Sequence, residues 1–150
     1  MGALTYFSTR ELLVLPCGAA WRCVAGGGRG AEQLARDRAG RVRAKKILAQ
    51  GGTRDWTVKA TEAARGGPLP PGRYLLHPPA PHPRLGPACF LQPDAANDMR
   101  GRDDFWIHGP GPRGSDGCIV PVPDGSRRRG IFHLMSVLAR LAPCPLVVVP

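Results

Sequence analysis

Apolar residues along this chain come in short bursts cut off by glycine and proline, a rhythm that predicts strands more than helices. Leu4–Phe7 and residues 11–15 read as two short strands around Ser8-Thr9-Arg10, and Ala20–Ala25 as a third that ends in Gly26-Gly27-Gly28. Further strands are predicted at 55–60, where Trp56 is a core or lid residue, and at 73–76, 88–92 and 146–149. Phe105, Trp106 and Ile107 are aromatic and β-branched, as suits a half-buried strand, and that strand stops at His108. Two segments predict helix. Residues 31–50 carry Leu34, Ala35, Val42, Ile47 and Leu48, with Gly40 weakening the middle, and residues 130–141 are apolar enough to pack on a sheet. Proline-rich 66–72 reads as a turn, 78–87 as an exposed loop, 94–104 as a polar loop and 123–129 as a basic turn. The pattern predicts a mainly β chain with one or two helices. At 150 residues it predicts a single domain, 1–150, with a basic and helical insertion at about 29–52.

Composition narrows this. Gly 20 and Pro 17 approach the level seen in disordered chains, but 43% hydrophobic residues place the protein among folded, turn-rich β domains. The net charge of +10 implies an acidic partner: nucleic acid, an anionic cell-wall polymer or an acidic protein. A basic binding module gripping nucleic acid or an anionic polymer through Arg36 to Lys46 and Arg127 to Arg129 is therefore an alternative reading. No stacking aromatics interleave the segment 31–50, so nucleic acid is not the expected partner. Five cysteines without a CxxC pair exclude a zinc ribbon and a complete disulfide framework, and point to at least one free thiol. Proline separates His77 from His82, which lack the spacing for a shared metal; no metal site is expected. The glycine run at 26–28 lacks the Lys-Ser/Thr ending of a phosphate loop. No stretch reaches the roughly 18–20 apolar residues of a membrane span, so membrane insertion is not expected. Leu12 to Trp21 is too interrupted, by Pro16 and by the adjoining Arg10 and Glu11, to read as a signal peptide. The expectation is synthesis in a reducing cytoplasm.

Candidate chemistry concentrates in residues 105–121, FWIHGPGPRGSDGCIVP. A strand ending at His108 and a new apolar run starting after Cys118 flank a glycine-rich turn, which brings a thiol back toward an imidazole. An imidazole able to take the thiol's proton makes the sulfur a competent nucleophile. Gly117 beside it leaves room for a substrate carbonyl, and the backbone N–H groups of Asp116, Gly117 and Cys118 can converge on a developing oxyanion. A backbone carbonyl or Ser115 can orient the imidazole. His133, among Ile131, Phe132, Leu134 and Met135, reads as a packed helix histidine. Loops that precede a catalytic strand often orient substrate, which makes Arg100, Arg102 and Arg113 candidates for a substrate carboxylate. Cys89 and Cys144 read as structural.

The order His108-Gly109, then Ser115-x-Gly117-Cys118-Ile119, resembles the HG…SxGC motif of the L,D-transpeptidase superfamily. Gly67-Pro-Leu-Pro-Pro-Gly-Arg-Tyr74, Met99-x-Gly101-Arg102 and Phe105-Trp-Ile-His108-Gly109 are similar to the short L,D-transpeptidase-type effectors of type VI secretion. The resemblance spans residues 66 to 122. It implies a β-sandwich catalytic domain with Cys118 as nucleophile, His108 as proton shuttle and Ser115 in the site. Gly109, Asp116 and Gly117 would supply backbone, and Tyr74 is a further substrate-contact candidate. The implied reaction is acyl transfer on peptidoglycan stem tetrapeptides through a thioester, as L,D-carboxypeptidase, cross-linking transpeptidase or D-amino acid exchanger, without a cofactor. The implied setting is the periplasm of a target bacterium, with a secretion apparatus and a cognate immunity protein as partners. One departure stands out: many housekeeping members carry arginine two residues after the cysteine, where this chain has Val120. That substitution leaves an inactive transpeptidase-like scaffold as a third reading.

Overall fold

A computed structural model describes residues 2–26, 32–36, 42–46, 67–109, 117–122 and 130–150. Eleven strands and one helix appear among them: β1 (Leu4–Phe7), β2 (Leu12–Val14), β3 (Ala20–Ala25), β4 (Glu32–Arg36), β5 (Val42–Lys46), β6 (Gly72–Leu76), β7 (Ala80–His82), β8 (Gly86–Pro93), β9 (Trp106–His108), β10 (Ile119–Pro121), α1 (Ile131–Leu141) and β11 (Cys144–Val149). The mainly β expectation holds, and the strands predicted around 4–7, 11–15, 20–25, 73–76, 88–92, 105–108 and 146–149 are all present, as is the second helix. The strand expected at 55–60 and the basic turn at 123–129 lie outside the described residues.

Nine strands form one sheet in the order β6-β11-β1-β2-β3-β10-β9-β8-β7, and a further pairing of β6 with β8 closes eight of them into a barrel. The length of β8 makes closure possible. Its first half pairs with β7, its middle with β9, and its last residues with β6 through Tyr74↔Pro93, Leu75↔Gln92 and Leu76↔Leu91. β11 lies between β1, which it joins in parallel from Leu4↔Leu146 to Phe7↔Val149, and antiparallel β6. Alternation along each strand sends one set of side chains inward: Leu4, Tyr6, Leu13, Leu76, Leu91, Ile107, Ile119 and Leu146 have no exposed surface. Helix α1 adds Leu134, Met135 and Leu138 to this core, and Met135 Sδ lies 3.6 Å from Cys89 Sγ. Each such large apolar side chain stabilises the fold by about 2 kcal/mol. Tyr6 reaches full burial because its hydroxyl donates to the Cys23 carbonyl at 3.1 Å.

The structure differs from the sequence reading in two segments. Residues 32–36 and 42–46 are strands, not helix. β4 and β5 pair antiparallel from Glu32↔Lys46 to Arg36↔Val42. A helical stripe continued from Leu34 and Ala35 needs apolar residues at 38, 41 and 45, where the chain has Arg38, Arg41 and Lys45, so no apolar face runs the length of the segment. The second difference is β7. Prolines suggested only a loop at 78–87, yet Ala80–His82 pairs with Gly86–Ala88, including Pro81↔Pro87. β7 is an edge strand, where a missing proline N–H leaves no ladder bond unmade.

Candidate functional site

β9 sits between β8 and β10. It pairs antiparallel with β8 through Ala88↔His108, Cys89↔Ile107 and Phe90↔Trp106, and parallel with β10 through Ile119↔Ile107. Ile107 and Ile119 both point into the core. The residues on either side therefore share the opposite face. Continuing the register by one residue sets His108 level with Val120, and Trp106 level with Cys118. His108 and Cys118 thus lie on the same face of adjacent strands, offset along the strand direction. Val120 joins Val24 and Val122 in a small apolar cluster next to His108.

His108 is 5% exposed. Its Nδ1 is 2.7 Å from the carbonyl oxygen of Gly109, which can only accept, so Nδ1 carries the proton and the neutral ring presents a bare Nε2. Burial pulls the imidazole below its ordinary pKa; the Gly109 hydrogen bond opposes this, and the nearby His82 adds to it. The result is a neutral base at pH 7. Gly109 fits tightly beyond it, since a Cβ there would lie 3.3 Å from Ile131 Cγ1 at the start of α1.

Cys118 is half-buried, and its thiol faces the Asp104 carbonyl oxygen at 3.8 Å. A thiol directed at a carbonyl is protonated, so its activation calls for a base. Asp104, with φ +64, also accepts the Trp106 Nε1–H at 2.7 Å, and so holds the ring that is level with the sulfur. Gly117 has φ +124, and an added Cβ would collide with the Phe105 ring, lie 2.8 Å from Arg102 Nη2 and 3.1 Å from the Gly67 carbonyl oxygen. Only glycine fits this conformation and this space.

The flanking motifs do structural work. Arg102 is 4% exposed; Nη1 donates to the Pro68 carbonyl at 2.9 Å and Nη2 to the Gly67 carbonyl at 2.7 Å, with the guanidinium 5.1 Å from the Phe105 ring centre. It is a buried clamp on 67–68 rather than an exposed carboxylate receptor. Tyr74 is 3% exposed and its hydroxyl donates to the Pro70 carbonyl at 2.7 Å, so it too is built into the scaffold. Burial raises the Tyr74 hydroxyl, with the Arg102 charge acting against it. Arg100 pairs with Asp98 at 3.0 Å and stays partly exposed. Ser115, Asp116 and Arg113 lie outside the described residues.

Other histidines and cysteines have separate surroundings. His77 Nε2 meets Gln92 Oε1 at 2.8 Å, while His82 Nδ1 accepts from the backbone N–H groups of Arg84 and Leu85. His133 is exposed on α1 rather than in the core, and its ring packs on Trp21 with centroids 6.1 Å apart. Among the described residues no group of three or more His, Cys, Asp or Glu could hold a metal ion, and no helix is long and apolar enough to cross a membrane. A groove of about 690 Å³ over β6 and β11 contains neither His108 nor Cys118. Sequence reasoning missed Asp104 and the clamping role of Arg102; it named a backbone carbonyl as an orienter of the imidazole, and Gly109 supplies it. For Arg102, its nearness in sequence to Phe105 and β9 was the one available signal.

Fold and site together define a closed β-barrel that carries a neutral imidazole at the end of one strand and a thiol just before the start of its parallel neighbour. No protein-family model, curated protein or solved structure matches the chain.

Proposed function

We propose that the chain is a cysteine acyltransferase of L,D-transpeptidase type and that it acts on peptidoglycan stem tetrapeptides. The observation that carries this reading is His108: buried, neutral, and held by the Gly109 carbonyl in the tautomer that leaves Nε2 free, on the same face as the Cys118 thiol. Nε2 takes the thiol proton as the sulfur attacks the carbonyl at the L-centre of the diamino acid. Backbone N–H groups of Gly117 and Cys118, with Asp116, receive the oxyanion. As the tetrahedral adduct collapses, the imidazolium returns its proton to the departing D-alanine amine, and a Cys118 thioester remains. Water resolves it as a carboxypeptidase, another stem's amine as a cross-linker, and a free D-amino acid as an exchanger. Buried Val120, beside His108, replaces the arginine of many housekeeping enzymes, so the substrate carboxylate must be met by other groups.

Delivery by type VI secretion into the periplasm of a target bacterium fits this chemistry, because removing or replacing the terminal D-alanine deprives cross-linking of its donor. A cognate immunity protein would then protect the producer. Cys118→Ala and His108→Ala should each abolish D-alanine release from muropeptides while keeping the native circular dichroism spectrum, and a carbapenem should acylate the wild-type protein at Cys118. Release that persists in both variants ends the proposal. Toxicity should follow export to the periplasm and be absent when the protein stays in the cytoplasm.

A further inference from the structure

The geometry points to Arg102 as a positioning residue for the nucleophile: its guanidinium pins 67–68 against Gly117, the residue before Cys118, and sets a buried positive charge there, favouring the thiolate and the developing oxyanion. This rests on reading Cys118 as the nucleophile. Four contacts hold Arg102 in place. Nη1 and Nη2 are held by the Pro68 and Gly67 carbonyls, the ring of Phe105 lies against the guanidinium, and the backbone N–H of Arg102 donates to the Met99 carbonyl at 2.8 Å, which fixes the root of the side chain. Gly117 approaches so closely that its missing Cβ would touch Nη2, the Phe105 ring and the Gly67 oxygen together.

The same 67–68 segment also packs closely on Gly26. A Cβ on Gly26, at the end of β3, would collide with Gly67 and Pro68. Gly26 at the end of β3, the 67–68 backbone, Arg102 and Gly117 are thus packed in succession. Its charge is 4% exposed, so water screens it poorly and a sulfur one residue from Gly117 feels it more than it would at a surface. Other titratable groups by this spot are Asp103 and Asp104 in the same loop, both exposed, with the Asp104 carbonyl facing the sulfur, and Tyr74 on β6, whose hydroxyl feels the Arg102 charge. Arg102 is the cation packed on Gly117 itself.

The test is the pH dependence of Cys118 alkylation by iodoacetamide, read by mass spectrometry in a Cys17→Ser background, because Cys17 is the exposed thiol. Arg102→Gln should move the alkylation midpoint upward by about one pH unit and slow the reaction about tenfold below it. Arg102→Lys keeps a charge but cannot bridge both carbonyls, and should fall between, slowed a few-fold. Midpoints and rates unchanged from the parent in both variants would overturn the inference. If Arg102→Gln does not fold, Arg102→Lys decides alone by the same criterion. Alkylation needs no peptide substrate, so the outcomes separate: a shifted profile in a protein that releases no D-alanine would sink the acyl-transfer proposal and leave this one standing.

Discussion

Replacing Gly117 by alanine probes the turn on which the candidate site depends. Two penalties add. An alanine at φ +124 costs about 1–2 kcal/mol in backbone strain. Its Cβ would also press on the Phe105 ring, Arg102 Nη2 and the Gly67 carbonyl, and forcing an extra carbon into a packed site costs about 1–3 kcal/mol. The sum is about 3 kcal/mol. For a domain of this size each kcal/mol lowers Tm by about 2–4 °C, so the expected drop is about 6–12 °C by thermal circular dichroism. Gly18→Ala is the control, since φ is +86 but nothing lies within 4 Å of the added carbon. It should lose only the backbone part, about 1–2 kcal/mol. Equal losses in the two variants would show that Gly117 is not wedged between Arg102 and Phe105, and the account of the clamp would fall with it.

The His108 imidazole gives a prediction in pH. Its pKa in the folded protein is below the ordinary 6.5, so between those two values the unfolded chain binds more protons and stability falls as pH drops through 6.5. Urea unfolding of wild type and His108→Gln from pH 7.5 to 5 should show the wild type losing more stability than the variant, and parallel curves would contradict the buried neutral imidazole. Thiol labelling gives another. Cys23, Cys89 and Cys144 are buried, with burial raising all three thiols and taking Cys89 up to about 12. Native protein should therefore take up iodoacetamide at Cys17 and Cys118 only, and denatured protein at all five; native labelling of any buried cysteine would count against the core described here. Finally, Tyr74→Phe strands the Pro70 carbonyl in a buried site and should cost about 1–3 kcal/mol in urea unfolding with little effect on Cys118 alkylation. A large change in alkylation would instead make Tyr74 part of the site.

Elements built from local pattern were legible in the sequence; those built from long-range pairing were not. β3 and α1 announce themselves by apolar spacing, and β9 by three adjacent aromatic and branched residues. Barrel closure depends on the last residues of β8 finding β6, and nothing in Leu91, Gln92 or Pro93 distinguishes that partner from another. The antiparallel β4–β5 pair was misread because a few apolar residues among many basic ones fit either period when taken a few at a time. At the site, Cys118 and His108 were visible as residue types on either side of a glycine-rich turn. Their supports are backbone carbonyls, those of Gly109, Asp104, Gly67 and Pro68, and every residue has a carbonyl, so no letter in the sequence marks them. Arg102 was singled out for its charge but given a role at the surface, since burial of an arginine shows only once the chain is folded.

The seam between β1 and β11 has a kinetic consequence. Leu4 pairs with Leu146, so the ladder that stitches β1 to β6 through β11 joins residues from nearly opposite ends of the chain. Contacts of such long sequence separation form slowly, after most loop entropy has been lost. Until β11 docks, β1 and β6 each present a bare edge to any neighbouring chain. The step that seals the barrel is thus also the step that ends its exposure to aggregation, and a variant that delays β11 should reveal itself first as lost yield on refolding rather than as a weaker native state.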